Sequence, residues 1–87
     1  MNLYCIYDRK GELANPPFTA PNHALAIRQF AVACNQSGST ERPNLFSTYP
    51  EDFCLMFIGE LDEKTMVFKA PDIITNLGLA LDFIKKE

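Results

Sequence analysis

The stretch 53–61, Phe-Cys-Leu-Met-Phe-Ile-Gly-Glu-Leu, is apolar on both sides of a two-residue alternation. Phe53, Leu55, Phe57 and Gly59 fall on one side, and Cys54, Met56, Ile58 and Glu60 on the other. Strands that read this way are buried on both faces. The opening segment 2–8 repeats the problem, with Leu3, Cys5 and Tyr7 opposite Tyr4 and Ile6. A chain of 87 residues builds one modest core, so two doubly apolar strands demand more cover than it readily supplies.

One strong helix is available. From Asn22 onward, Ile27, Phe30, Ala31 and Cys34 recur at helical spacing. Asn22 suits the N-cap and Asn35 the C-terminal end. Such a helix has one buried face and covers one face of a sheet. The second face is left to the terminal segment 72–87 or to another copy of the chain, and we expect a homodimer or larger homo-oligomer.

The remaining elements follow from turn chemistry. Asp8-Arg9-Lys10-Gly11 ends the first strand. Residues 12–21 carry Asn15-Pro16-Pro17 and Pro21, which allows a short edge strand around 17–19 at best. Residues 36–50, rich in Ser, Gly, Thr, Pro and Asn, read as a long loop, with 36–44 the segment expected to move. Asp62-Glu63-Lys64 turns the doubly apolar strand into a hairpin with 65–69. Leu77, Leu81 and Ile84 favour a short terminal helix ending at Lys85 and Lys86, where positive charge suits the helix dipole. The expected fold is a single α+β domain over 1–87, a small, mainly antiparallel sheet packed with one main helix plus a short C-terminal helix.

Chemistry is sparse. Cys5, Cys34 and Cys54 are odd in number and dispersed, which fits reduced, buried thiols rather than disulfides or a zinc site. His23, the single histidine, stands at the start of the helix with no nucleophile at a telling spacing. Glu60, Asp62, Glu63 and Asp72 lack the register and turn glycine of a calcium loop and read as a solvated turn. Glu51 and Asp52 shape the entry to the central strand. We expect no enzyme activity, no metal and no cofactor. The start, MNLYCIYDRK, has no basic and apolar leader, and no apolar run reaches membrane-spanning length.

The net charge of −3 and pI near 5.0 argue against a broad basic surface, although a local patch is compatible with them. Arg9, Lys10, Arg28, Arg42, Lys64 and Lys69 are the candidate cations, with Tyr4, Tyr7, Phe46 and Tyr49 as candidate stacking surfaces. Arg9, Lys10, Arg28 and Lys69 form the expected nucleic-acid-binding set.

Three stretches taken together carry a resemblance. They are Leu3-Tyr4-Cys5-Ile6-Tyr7-Asp8; Pro17-Phe18 leading through Asn22 to Ala26-Ile27-Arg28-Gln29-Phe30; and Tyr49-Pro50-Glu51-Asp52-Phe53 followed by Leu55-Met56-Phe57-Ile58-Gly59-Glu60-Leu61-Asp62. Their order and spacing resemble the small non-structural protein of gokushoviruses, the tailless single-stranded DNA phages of the Microviridae, from Leu3 to about Phe83. The polar stretch 36–44 is longer than the connector typical there. The resemblance implies an accessory of single-stranded DNA genome replication or packaging that associates with DNA in the cytoplasm of the infected bacterium. It supplies no catalytic residues. The expected partners are single-stranded DNA and the chain itself. The alternative is an adaptor that recruits a phage or host replication protein without touching DNA, and the acidic pI favours it.

Overall fold

The computed structural model describes residues 1–39, 41 and 43–84. Arg42 and the expected helix end at Lys85 and Lys86 lie outside them. Six strands form one antiparallel sheet: β1 (Asn2–Asp8), β2 (Leu13–Ala14), β3 (Phe18–Ala20), β4 (Phe53–Asp62), β5 (Val67–Lys69) and β6 (Thr75–Leu79). The helices are α1 (His23–Cys34), α2 (Leu45–Thr48) and α3 (Ala80–Phe83). The long strands β1 and β4 pair at the centre. Each outer edge is shared by two short strands, β2 and β3 along β1, and β5 and β6 along β4. The α+β architecture with one main and one short C-terminal helix is the one expected.

The terminal segment departs from expectation. Residues 75–79 form a strand, because one edge of β4 is open from Cys54 to Phe57 and Thr75–Leu79 satisfies its backbone groups. Only one helical turn follows. Asp82 accepts a hydrogen bond from the Leu79 backbone N–H (3.0 Å), and the Asn35 side chain donates to Phe83 O (2.9 Å). The stretch 36–50, expected to be loop throughout, contains α2. Asn44 caps this turn by accepting from Phe46 N (3.0 Å), while its amide donates to Ala33 O and Gln36 O, both at 2.8 Å.

Two bulges re-aim the sheet. Leu3 pairs with Gly59 and Tyr4 with Phe57, so Ile58 is the extra residue; on the other edge Leu55 pairs with Gly78 and Met56 with Asn76, leaving Leu77 extra. Gly59 (φ 148°) and Gly78 (φ 142°) occupy backbone regions that favour glycine. The first bulge moves Glu60 across the sheet, since it pairs with Asn2 rather than continuing the side of Met56.

One side of the sheet carries Tyr4, Ile6, Phe18, Phe53, Leu55 and Phe57, and the helices pack there with Ala26, Phe30, Cys34, Ala80 and Phe83. Ala26, Phe30 and Cys34 are the buried stripe of α1, whereas Ile27 is only partly buried. Phe30 and Cys34 are thus buried as expected, and the stripe extends to Ala26 more deeply than to Ile27. Phe30 and Leu55 are buried, and Ile27 and Phe57 partly so. Aromatic rings fill both ends, with Phe46 edge-on to Phe53 (4.9 Å) and Tyr4 beside Phe57 (5.5 Å).

Candidate nucleic-acid interface

The candidate cations occupy three separate places. Arg9 and Lys10 sit together in the exposed turn after β1, where Asp8 Oδ1 accepts from the backbone N–H of Lys10 and of Gly11, both at 3.0 Å. The Arg9 backbone N–H donates to Asp52 O (2.7 Å), which ties this turn to the start of β4. Arg28 is exposed on α1. Lys69 ends β5 opposite Glu60. Phe53 and Glu60 are seven residues apart on β4, so the Arg9–Lys10 turn and Lys69 are separated by about 23 Å at 3.3 Å per residue. Within one chain, the structure brings together Arg9 and Lys10 and not the other two. Lys69 lines a hollow of about 620 Å³ with Lys64, Glu60, Asp62 and Glu63, a setting in which three carboxylates accompany the two lysines.

Beside the Arg9–Lys10 turn lies a hollow of about 490 Å³ lined by Asp8, Lys10, Gly11, Leu45, Tyr49, Asp52 and Phe53. Tyr49 is 55% exposed there. A flat ring and a lysine sharing one open hollow form the minimal pair for stacking a base and meeting its phosphate. The two carboxylates oppose this, although Asp8 is already engaged by two backbone N–H groups. Leu45 joins the hollow through α2, whose one legible signal is an asparagine before an apolar pair.

The other candidate rings are committed elsewhere. Tyr4 is fully buried, and its hydroxyl shares a 2.7 Å hydrogen bond with His23 Nδ1 while Asn2 Nδ2 donates to it at 3.3 Å. His23, at the start of α1, is exposed yet bonded to the core, with its ring also 4.8 Å from that of Phe57. Phe46 packs between Phe30 and Phe53. Tyr7 stands on the side of the sheet away from the helices, opposite Cys54.

The three cysteines are free and buried. Burial pushes the Cys34 thiol up to about 11 and raises Cys5. It also raises Cys54, where the Arg9 charge pulls the value back and Cys5 adds to the rise. Among the described residues, no group of three His, Cys, Asp or Glu side chains is placed to hold a metal ion, and no helix is long and apolar enough to cross a membrane.

No curated protein and no solved structure matches the chain significantly. The family model described as phage ORF5 protein matches residues 1–83, nearly the whole length. The chain belongs to the phage ORF5 protein family and is a phage protein.

Proposed function

We propose that the protein is a DNA-associating accessory of single-stranded DNA phage genome replication or packaging, working in the cytoplasm of the infected bacterium. Membership of a phage family supports the setting, and the gokushovirus resemblance supplies the genome type. The observation that carries the DNA reading is the hollow where Lys10 meets exposed Tyr49, beside Arg9. Lys10 and Arg9 take the phosphates and Tyr49 stacks on a base. Stacking tolerates any sequence but requires an unpaired base, so single strands are preferred. With a net charge of −3 the affinity is weak.

The test is titration of labelled single- and double-stranded oligonucleotides at low and physiological salt. The parent binds single strands more tightly, and the double variant Arg9→Glu/Lys10→Glu loses binding with its melting curve nearly unchanged, because exposed turn cations contribute little to folding. Tyr49→Ala weakens single-strand binding selectively. Undiminished binding by the double variant moves the site elsewhere. No binding at low salt favours the adaptor reading, which rests on the exposed apolar run Met66, Val67 and Phe68 at the hairpin tip.

A further inference from the structure

The side of the sheet turned away from the helices carries no charged residue at any paired strand position. Register places Leu3, Cys5 and Tyr7 of β1 there with Cys54, Met56 and Leu61 of β4, Phe68 of β5 and Leu79 of β6, and with two uncharged polar residues at the edges, Thr19 of β3 and Asn76 of β6. The charged strand residues Asp8, Glu60, Asp62 and Lys69 all register on the helix side, beyond the helices' cover. A solvated antiparallel face is ordinarily polar. Cys5 and Cys54 are buried yet stand outside the core cluster, so this side packs as a separate apolar layer. None of the three helices covers it; α3, which follows β6, packs on the opposite side through Ala80 and Phe83.

We infer that this face is a symmetric interface with a second copy of the chain, sheet against sheet. Three observations single out that occupant. First, the accessible surface is 6335 Å², against roughly 5,200 Å² for a compact monomer of this mass. The excess of about 1,100 Å² matches the scale of a stable interface, about 800 Å² per partner. Second, the radius of gyration is 13.8 Å and the extents 45 × 24 × 22 Å, whereas a compact chain of this length has a radius near 12 Å. The molecule is elongated, its long axis nearly twice either of the others, and so leaves more surface uncovered than a compact chain does. Third, three of the four edge strands have only two or three residues and the fourth, the five-residue β6, is broken by a bulge, which disfavours strand-to-strand addition and leaves face-to-face packing. A face without charges gives a nucleic acid or an acidic peptide nothing to hold. It is matched by another apolar face, which a two-fold related copy always presents.

The experiment is sedimentation equilibrium across micromolar concentrations on the parent, on Met56→Asp and on Val32→Glu, an exposed position on α1. The parent and Val32→Glu have twice the chain mass. Met56→Asp weakens association by at least about 100-fold, because each copy would bury an unpaired carboxylate. Isotope-filtered nuclear Overhauser spectra of a mixed labelled dimer read the face without any substitution, and methyl contacts from Met56 and Leu79 of one copy to Tyr7 or Phe68 of the other are expected. A parent that stays monomeric at 100 µM (about the upper limit for a useful interface of this size) overturns the inference. A dimer whose intermolecular contacts fall on α1 or the sheet edges overturns it equally.

Discussion

At the scale of single residues, the core is held by groups whose importance differs from what residue type alone suggests. Phe30 is 1% exposed and meets Phe46 and Phe83, so Phe30→Ala should cost about 3 to 5 kcal/mol in denaturant melts. His23 acts through Tyr4: His23→Ala leaves a buried hydroxyl with only its longer contact to Asn2 and should cost about 1 to 2 kcal/mol. In a Tyr4→Phe background the same change should cost little, and a double-mutant cycle measures the difference. Cys34 gives a pH signature. Its thiol holds its proton more tightly in the folded state, up to about 11 against an ordinary 9. Below pH 9 both folded and unfolded chains keep the proton and the contribution is complete. Between 9 and about 11 the unfolded chain releases it first, so stability falls as pH rises through that window. Cys34→Ala should lack this component of the fall in pH-dependent melts, and Cys34 in the parent should resist alkylation until the chain is unfolded.

At the scale of elements, the bulge glycine and the asparagine clamp carry the clearest predictions. A Cβ at Gly59 would lie 2.5 Å from Lys69 O and from the Phe68 ring, at a φ that side chains rarely adopt. Gly59→Ala should therefore destabilise by about 2 to 3 kcal/mol and loosen the β4–β5 hairpin, seen as faster amide exchange at 67–69. Asn44→Ala removes the bonds joining α1 to α2 and should cost about 1 to 3 kcal/mol, with exchange quickening at 45–48. The sequence made β1, β4, α1 and the hairpin legible because each carries a periodic apolar pattern longer than its turn signals. It hid β6, because Leu77 serves as a bulge residue and breaks the alternation that would have marked a strand. It hid α2, whose single turn is held by one asparagine and one phenylalanine rather than by periodicity. Arg9 and Lys10 are neighbours in the chain and remain neighbours in space. Arg28 and Lys69 could not be placed from sequence, since their separation depends on which end of β4 pairs with β5 and on the helix rotation.

At the scale of the whole molecule, net charge and assembly meet in one measurable quantity, the salt dependence of DNA binding. The net charge is −3, and the hollow that carries Lys10 also contains Asp8 and Asp52, so Arg9 and Lys10 are the phosphate contacts each chain offers. Two contacts on single-stranded DNA give a slope of log K against log salt near −1.4, at about 0.7 per contact. A face-to-face dimer that places both turns on the same strand doubles the contacts and steepens the slope to about −2.8. Raising salt fourfold then lowers affinity about sevenfold for one engaged chain and about fiftyfold for two. Met56→Asp separates the copies without touching either turn, so it should convert the steep dependence into the shallow one while Tyr49 continues to favour single strands. A steep slope that persists in the monomeric variant would mean that cations beyond Arg9 and Lys10 meet the phosphates, and Arg28 would be the next to reverse. A shallow slope in a parent of proven dimer mass would mean that the two turns point to separate strands, which makes the assembly a bridge between DNA segments rather than a clamp on one.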